Sequence, residues 1–280
     1  MHIITDQDNQ PIATKNITFS GGERHVQLLN NDKPRAALLN IRSVINNAEA
    51  LVELFLLINA LRHEYGQEIP IRLEIPYLPY ARQDRVCAPG QAFSLEVIAK
   101  WLTDLKLERL VTWDCHSQVG LNLTGAINIE PAQIIASDPT FTQQLKGKNS
   151  VLICPDKGAL NRCQKIVDTL NLDGMVCCEK RRDPATGAIV RTEVLADDLS
   201  GKTAIITDDI CDGGFTFIKI AEQLKALNAQ RIILFVTHGI FSKGLDVFNG
   251  LIDEVYTTQS FEQQPNKMLN VINYTYNFGE

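Results

Sequence analysis

No run of about 18 or more apolar residues occurs in the 280-residue sequence, so it predicts no transmembrane helix. Basic residues are not in excess. The 27 Lys and Arg stand against 33 Asp and Glu, a net charge of −6. That balance argues against nucleic-acid or anionic-membrane partners, which both select a basic face, but leaves room for a local anion site. Residues 1–10, MHIITDQDNQ, lack the apolar core of a signal peptide. No C-x-x-C occurs among the seven cysteines, the number is odd, and Cys177 and Cys178 are adjacent. A disulfide framework or zinc cluster is therefore not expected, and reduced thiols acting as small hydrophobes suit a cytoplasmic protein. Low-complexity segments and crisp internal repeats are also missing.

What is present is ordinary globular composition, 45% hydrophobic and 21% charged, at a length that favours two domains or one large one. Apolar runs predict strands at 36–41, 71–78, 110–115, 150–156, 175–180, 203–209, 231–238 and 251–258. Helical spacing predicts helices at 48–64, 94–106, 131–145, 158–171 and 215–227. Alternating strands and helices define an α/β class with mainly parallel sheets, and runs that are apolar without alternation suit strands covered on both faces. The boundary is expected near Glu130-Pro131, giving domains 1–130 and 131–280, with the tail 259–280 free to cross back onto the first.

Ligands of open α/β sheets gather outside the carboxyl ends of the strands. Four predicted strand ends carry chemical groups: Asp114-Cys115-His116, Pro155-Asp156, Glu179-Lys180-Arg181-Arg182, and Asp208-Asp209. The last is the sharpest. A buried strand ends in two carboxylates, and Asp212-Gly213-Gly214-Phe215-Thr216 then opens a helix. Glycines let backbone N–H groups approach an anion, and the helix N-terminus adds partial positive charge. Thr216 can donate its hydroxyl to the same anion. Paired carboxylates accept hydrogen bonds from vicinal ribose hydroxyls or hold a hydrated divalent cation. Gly201-Lys202-Thr203 is not a Walker loop, because Ala196 stands where the first glycine belongs and the segment precedes its strand.

The segment 203–216 resembles the phosphoribosyl-binding signature of type I phosphoribosyltransferase-fold proteins. Within that fold the chain resembles the ribose-phosphate pyrophosphokinases. The motifs carrying this likeness are Phe19-Ser20-Gly21-Gly22-Glu23, Pro79-Tyr80-Ala81-Arg82-Gln83-Asp84-Arg85, Asp114-Cys115-His116-Ser117-Gln118, Pro155-Asp156-Lys157-Gly158, Lys180-Arg181-Arg182 and Thr237-His238-Gly239-Ile240-Phe241-Ser242. They run in family order from about residue 17 to 245.

The resemblance implies two phosphoribosyltransferase-like domains and a Mg²⁺-dependent transfer of the β,γ-diphosphate of ATP to the anomeric hydroxyl of a ribose 5-phosphate moiety, releasing AMP. It implies catalytic roles for Lys180 and Arg182, which share one face of an extended segment. ATP contacts fall to Phe19, Glu23, Arg82, Gln83 and His116, with Phe19 and Glu23 reaching across a subunit interface of a homo-oligomer built from dimers. The metal positions are His116 and Asp156. Asp208, Asp209 and Asp212 take the ribose, and Gly213, Gly214, Phe215 and Thr216 its 5′-phosphate.

Two loops depart from the family pattern: the ATP loop has no basic residue over 86–96, and the sugar-phosphate loop differs at two positions. Gly213 replaces a hydroxyl donor and Phe215 replaces a glycine. Losing a donor to a terminal phosphate forfeits about 1.5–3 kcal/mol. The exchange suits an esterified 5′-phosphate with an aromatic tail, as in ADP-ribose, and slightly favours that acceptor over ribose 5-phosphate. The family resemblance also leaves two other readings: a phosphoribosyltransferase that uses phosphoribosyl pyrophosphate as donor, and a non-catalytic associated subunit.

Overall fold

The computed structural model describes residues 1–29, 36–182 and 189–279, with side chains at all of these except 180–182 and 189–192. The chain divides into two compact units, Met1–Ile129 with Thr275–Glu280, and Glu130–Tyr274. Both are mixed α/β, as the sequence predicts.

The first unit contains β1 (His2–Asp6), β2 (Thr14–Thr18), β3 (Arg24–Leu28), β4 (Leu39–Ser43), α1 (Ala48–Tyr65), β5 (Ile71–Glu74), α2 (Ser94–Asp104), β6 (Arg109–Trp113), α3 (Gln118–Thr124) and β7 (Ile127–Ile129). Its main sheet has the order β1-β4-β5-β6-β7, with only β1 antiparallel to its neighbour. Helix α1 starts where Asn47 Oδ1 accepts the Ala50 N–H at 2.8 Å and stops at Gly66, whose φ is +106°. It buries Leu54, Leu57, Ile58 and Leu61, at three- and four-residue spacing, in one core with Ile41, Ile71 and Leu73. The β2–β3 hairpin is too polar to read as strands from its sequence. It is tied to α1 by the buried Glu53, which accepts from Arg24 Nε at 2.6 Å and Asn16 Nδ2 at 3.1 Å. The returning C-terminal segment of this unit begins at Thr275. There Arg72 Nη1 donates to the Phe278 carbonyl at 2.9 Å.

The second unit contains α4 (Pro131–Ala136), α5 (Pro139–Leu145), β8 (Ser150–Cys154), α6 (Leu160–Leu170), β9 (Met175–Arg182), β10 (Ile189–Val194), β11 (Thr203–Cys211), α7 (Phe215–Ala226), β12 (Arg231–Gly239), β13 (Glu254–Thr258) and β14 (Leu269–Ile272). The strand order is β10-β9-β8-β11-β12-β13-β14, parallel apart from β10 against β9. Strand β14 pairs with β13, so residues 259–274 stay with this unit. Ile206, Leu234 and Val236 pack with Phe217, Ile220 and Leu224 of α7.

Several element boundaries differ from the sequence reading: the strands expected at 36–41, 71–78 and 251–258 are Leu39–Ser43, Ile71–Glu74 and Glu254–Thr258, and three larger differences have a clear cause. The single helix expected over 131–145 is two. Pro139 cannot donate to a continuing helix, and Asp138 instead caps a new one by accepting the Phe141 N–H at 2.8 Å. Strand β11 continues past Asp209 to Cys211, because β12 pairs with it up to Cys211–Gly239. Strand β9 continues to Arg182 because the unforeseen β10 pairs with it antiparallel. No helix among the described residues is long and apolar enough to cross a membrane.

Candidate active site

The residues singled out divide between the two units, and each group is built within its own. In the second unit, β8 and β11 pair only from Thr203–Ser150 to Ile206–Ile153. Past Ile206 the β8 side of β11 is open. Asp208 and Asp209 stand there, within the strand and not at its end as the sequence suggests. The gap is filled by helix α6. Arg162 Nη1 lies 3.2 Å from Asp208 Oδ1 and its Nη2 3.6 Å from Asp209 Oδ2, while the Cys163 Sγ is 3.3 Å from Thr207 Oγ1. Burial and the adjacent Asp209 carboxylate push Asp208 well above the usual carboxylate range, and Arg162 opposes them.

Beyond the pair, the chain turns through Asp212, Gly213 and Gly214 into α7. Gly214 is the N-cap in left-handed conformation, φ +80°. A Cβ there would stand 2.7 Å from the Phe248 ring, so only glycine fits. The first N–H groups of α7 have no intrahelical acceptor, and Thr216 lies among them. Asp212 accepts the Ser242 hydroxyl at 2.6 Å, which ties the loop to the segment after β12. The Lys243 stem passes the Gly213 face, 3.6 Å from where a Cβ would sit. Phe215 is 72% exposed, and the Lys219 ammonium lies 5.9 Å from its ring centre.

Asp156 lies two residues past the end of β8. Its Oδ1 accepts the Gly158 N–H at 2.8 Å and the Ala159 N–H at 3.1 Å, fixing the turn that leads into α6. Strand β9 carries the backbone of Lys180 and Arg182, in register with Thr192 and Ile189. Their side chains lie outside the described residues. A separate cavity of about 500 Å³ in this unit is lined by Ser150, Met175 and Lys202 at the amino ends of the strands, away from these groups.

In the first unit, Phe19 and Glu23 occupy the exposed tip of the β2–β3 hairpin, closed by the Phe19 N–H to Glu23 carbonyl bond at 2.9 Å. Arg82 and Gln83 lie exposed in the loop from β5 to α2, which Tyr80 turns with φ +62°. The exposed His116 follows β6. Buried Asp114 adopts φ +37° there, its N–H held by the Ile129 carbonyl at 2.8 Å. Ser117 then caps α3 through the Val119 N–H. Among the described residues no group of three or more His, Cys, Asp or Glu gathers as a metal cluster.

The sequence reading missed Arg162. Its signal was a charged residue beside the buried stripe Cys163, Ile166, Val167 and Leu170 of α6. It also missed Lys243 and Lys219, which no linear motif marks.

A mainly parallel sheet that carries paired carboxylates into a glycine loop at a helix N-terminus is the architecture of a phosphoribosyltransferase-type domain. The phosphoribosyl transferase domain model matches residues 132–262, and the model of the N-terminal domain of ribose phosphate pyrophosphokinase matches residues 2–105. The chain belongs to the ribose-phosphate pyrophosphokinase family. It is 31% identical to the ribose-phosphate pyrophosphokinase of Pyrococcus abyssi, over 94% of this chain and 88% of the relative. It is 30% identical to that of Shewanella oneidensis, over 92% and 81%. Its fold matches the crystal structure of phosphoribosylpyrophosphate synthetase from Mycobacterium smegmatis with a TM-score of 0.77 at 22% identity, covering 94% of this chain and 87% of that one.

Proposed function

We propose that this chain is a Mg²⁺- and ATP-dependent diphosphokinase whose acceptor is a ribose 5-phosphate moiety. The anomeric oxygen of the acceptor bonds to the β-phosphorus of ATP, the bond from that phosphorus to the α,β-bridging oxygen breaks, AMP leaves, and the hydroxyl proton is lost. Little covalent work falls to the protein, so its task is alignment and charge stabilisation. Lys180 and Arg182 serve the charge that develops between the donor and leaving oxygens. Arg82 and Gln83 hold ATP, with His116 at its phosphates. Phe19 and Glu23 reach the nucleotide of a neighbouring subunit. An exposed apolar face of α1 and α2 supports an oligomer: Val52, Val97 and Trp101 are each nearly half exposed, and Phe55 meets Trp101 edge-on.

Mg²⁺ prefers few protein ligands together with phosphate and water oxygens. Asp156 and His116 fit that limited role, and the cation supplies neutralisation of the nucleotide's phosphate charge. On the acceptor side, Asp208, Asp209 and Asp212 take the ribose hydroxyls, while the N–H groups around Gly213, Gly214, Phe215 and Thr216 take the 5′-phosphate.

The observation that carries the acceptor assignment is the phosphate loop. Gly213 offers no hydroxyl, Phe215 presents an open ring, and Lys219 flanks that ring. A terminal phosphate dianion gains little from an aromatic face, whereas a nucleotide esterified through that phosphate can stack on it. ADP-ribose is therefore favoured slightly over ribose 5-phosphate, giving ADP-ribose pyrophosphate for NAD salvage in place of phosphoribosyl pyrophosphate. The relatives' names favour the second acceptor.

The deciding assay offers Mg²⁺-ATP with each acceptor in parallel and reads AMP release and product mass. Conversion of ADP-ribose to a product heavier by one diphosphate supports the first acceptor. Conversion of ribose 5-phosphate alone makes Phe215 a tolerated loop variant. AMP release with neither acceptor overturns the diphosphokinase reading. A paired exchange, Phe215→Gly with Gly213→Thr, is expected to shift kcat/KM toward ribose 5-phosphate by about tenfold or more, from one regained charge-assisted hydrogen bond. An unchanged ratio in competition assays would remove the loop as the specificity element.

A further inference from the structure

One half-buried cation outside every motif named above touches both members of the acidic pair. The Arg162 side chain is 14% exposed, and it meets Asp208 at 3.2 Å and Asp209 at 3.6 Å. The two carboxylates come from adjacent strand residues, where strand geometry alone would send them to opposite faces. They nevertheless share one guanidinium. A planar fork with five donors can serve two carboxylates at once, which an ammonium does poorly. The helix that carries the fork is anchored at two points. Asp156 fixes the turn into α6 through the Gly158 and Ala159 N–H groups, and Cys163 docks on Thr207, the strand residue before the pair. Each carboxylate has about four acceptor positions, so contact with Arg162 leaves lone pairs for a ligand.

We propose that Arg162 is a positioning residue for the acceptor, holding Asp208 and Asp209 side by side as hydrogen-bond acceptors for the two vicinal hydroxyls of its ribose. This rests on the reading of the pair as the ribose site. Arg162 touches no reacting atom. Without it, two carboxylates in a partly buried gap repel each other and separate, and the spacing that matches a cis-diol is lost.

The test is a binding comparison in the full-length protein. Ribose 5-phosphate and 2-deoxyribose 5-phosphate are titrated calorimetrically into wild type, R162M and R162K, with thermal melts as the folding control. Wild type is expected to prefer the ribose form by about 10–100-fold, since one charge-assisted hydrogen bond is at stake. R162M is expected to lose that preference to within about threefold while its ATP affinity changes less than about twofold. R162K keeps the charge but not the fork and is expected to lose about 3–10-fold of the preference. Should R162M fail to fold, R162K carries the test. A folded R162M or R162K that retains the full wild-type preference overturns the role of Arg162. Wild type that does not distinguish the two sugars overturns the ribose-site reading instead, and the proposal with it.

Discussion

Replacing Lys180 with alanine is expected to lower turnover about 100- to 1,000-fold while the KM for ATP changes less than about threefold. A preorganised cation aimed at developing charge is worth this much when removed. The asymmetry between kcat and KM follows from where the charge appears. An interaction made only in the transition state lowers kcat and kcat/KM together and spares ground-state binding. The backbone supports the assignment: Lys180 and Arg182 sit two residues apart on β9, a strand prolonged by its pairing with β10. Steady-state kinetics with calorimetric ATP binding separates the outcomes. Equal losses in turnover and ATP affinity would make Lys180 a nucleotide-binding residue.

Gly214→Ala is expected to cost about 2–5 kcal/mol of stability in the second unit and to raise the acceptor KM at least tenfold. Two physical causes add. The residue has φ +80°, which costs a non-glycine about 1–2 kcal/mol. The new Cβ would also stand 2.7 and 2.9 Å from ring atoms of Phe248, which is itself fully buried and cannot retreat, an overpacking worth about 1–3 kcal/mol. Any relief moves the loop whose N–H groups we propose as the phosphate site. Gly213→Ala is the control. Its Cβ would meet Lys243 Cγ at 3.6 Å and Ser242 Oγ at 4.0 Å, ordinary contacts, so its thermal transition is expected within about 2 °C of wild type. Differential scanning calorimetry distinguishes them, and equal melting of the two variants would contradict the strain argument.

Much of the site was legible from residue order alone. The run Thr203–Thr216 announces itself because a buried strand, two acidic residues and a glycine turn are all local features. Asp156, His116 and Arg82 were singled out by motif order, and each lies after a strand or in a loop. The hairpin at 14–28 escaped because TKNIT offers too few apolar positions to mark a strand. Strand β10 escaped because it pairs through backbone groups, which sequence periodicity does not report. Helix 131–145 was over-extended because Pro139 was read as part of one run and not as the start of a second.

The sequence by itself determined the α/β class, the main alternation of strands and helices, and which residue types stand near the strand ends. These follow from periodicity and turn chemistry, which act over a few residues. Only the tertiary structure decided that Asp208 and Asp209 lie inside a strand, in a gap left where β8 stops, and that Arg162 fills it from 46 residues away. It alone set the Lys243 stem against Gly213 and Lys219 over Phe215. The reason is one of range. Strand length is set by the neighbouring strand, and the charge around a carboxylate by whatever the packed helix presents. Both are fixed by burying an apolar core with its partners in register, an energy that belongs to the assembled unit and to no single segment.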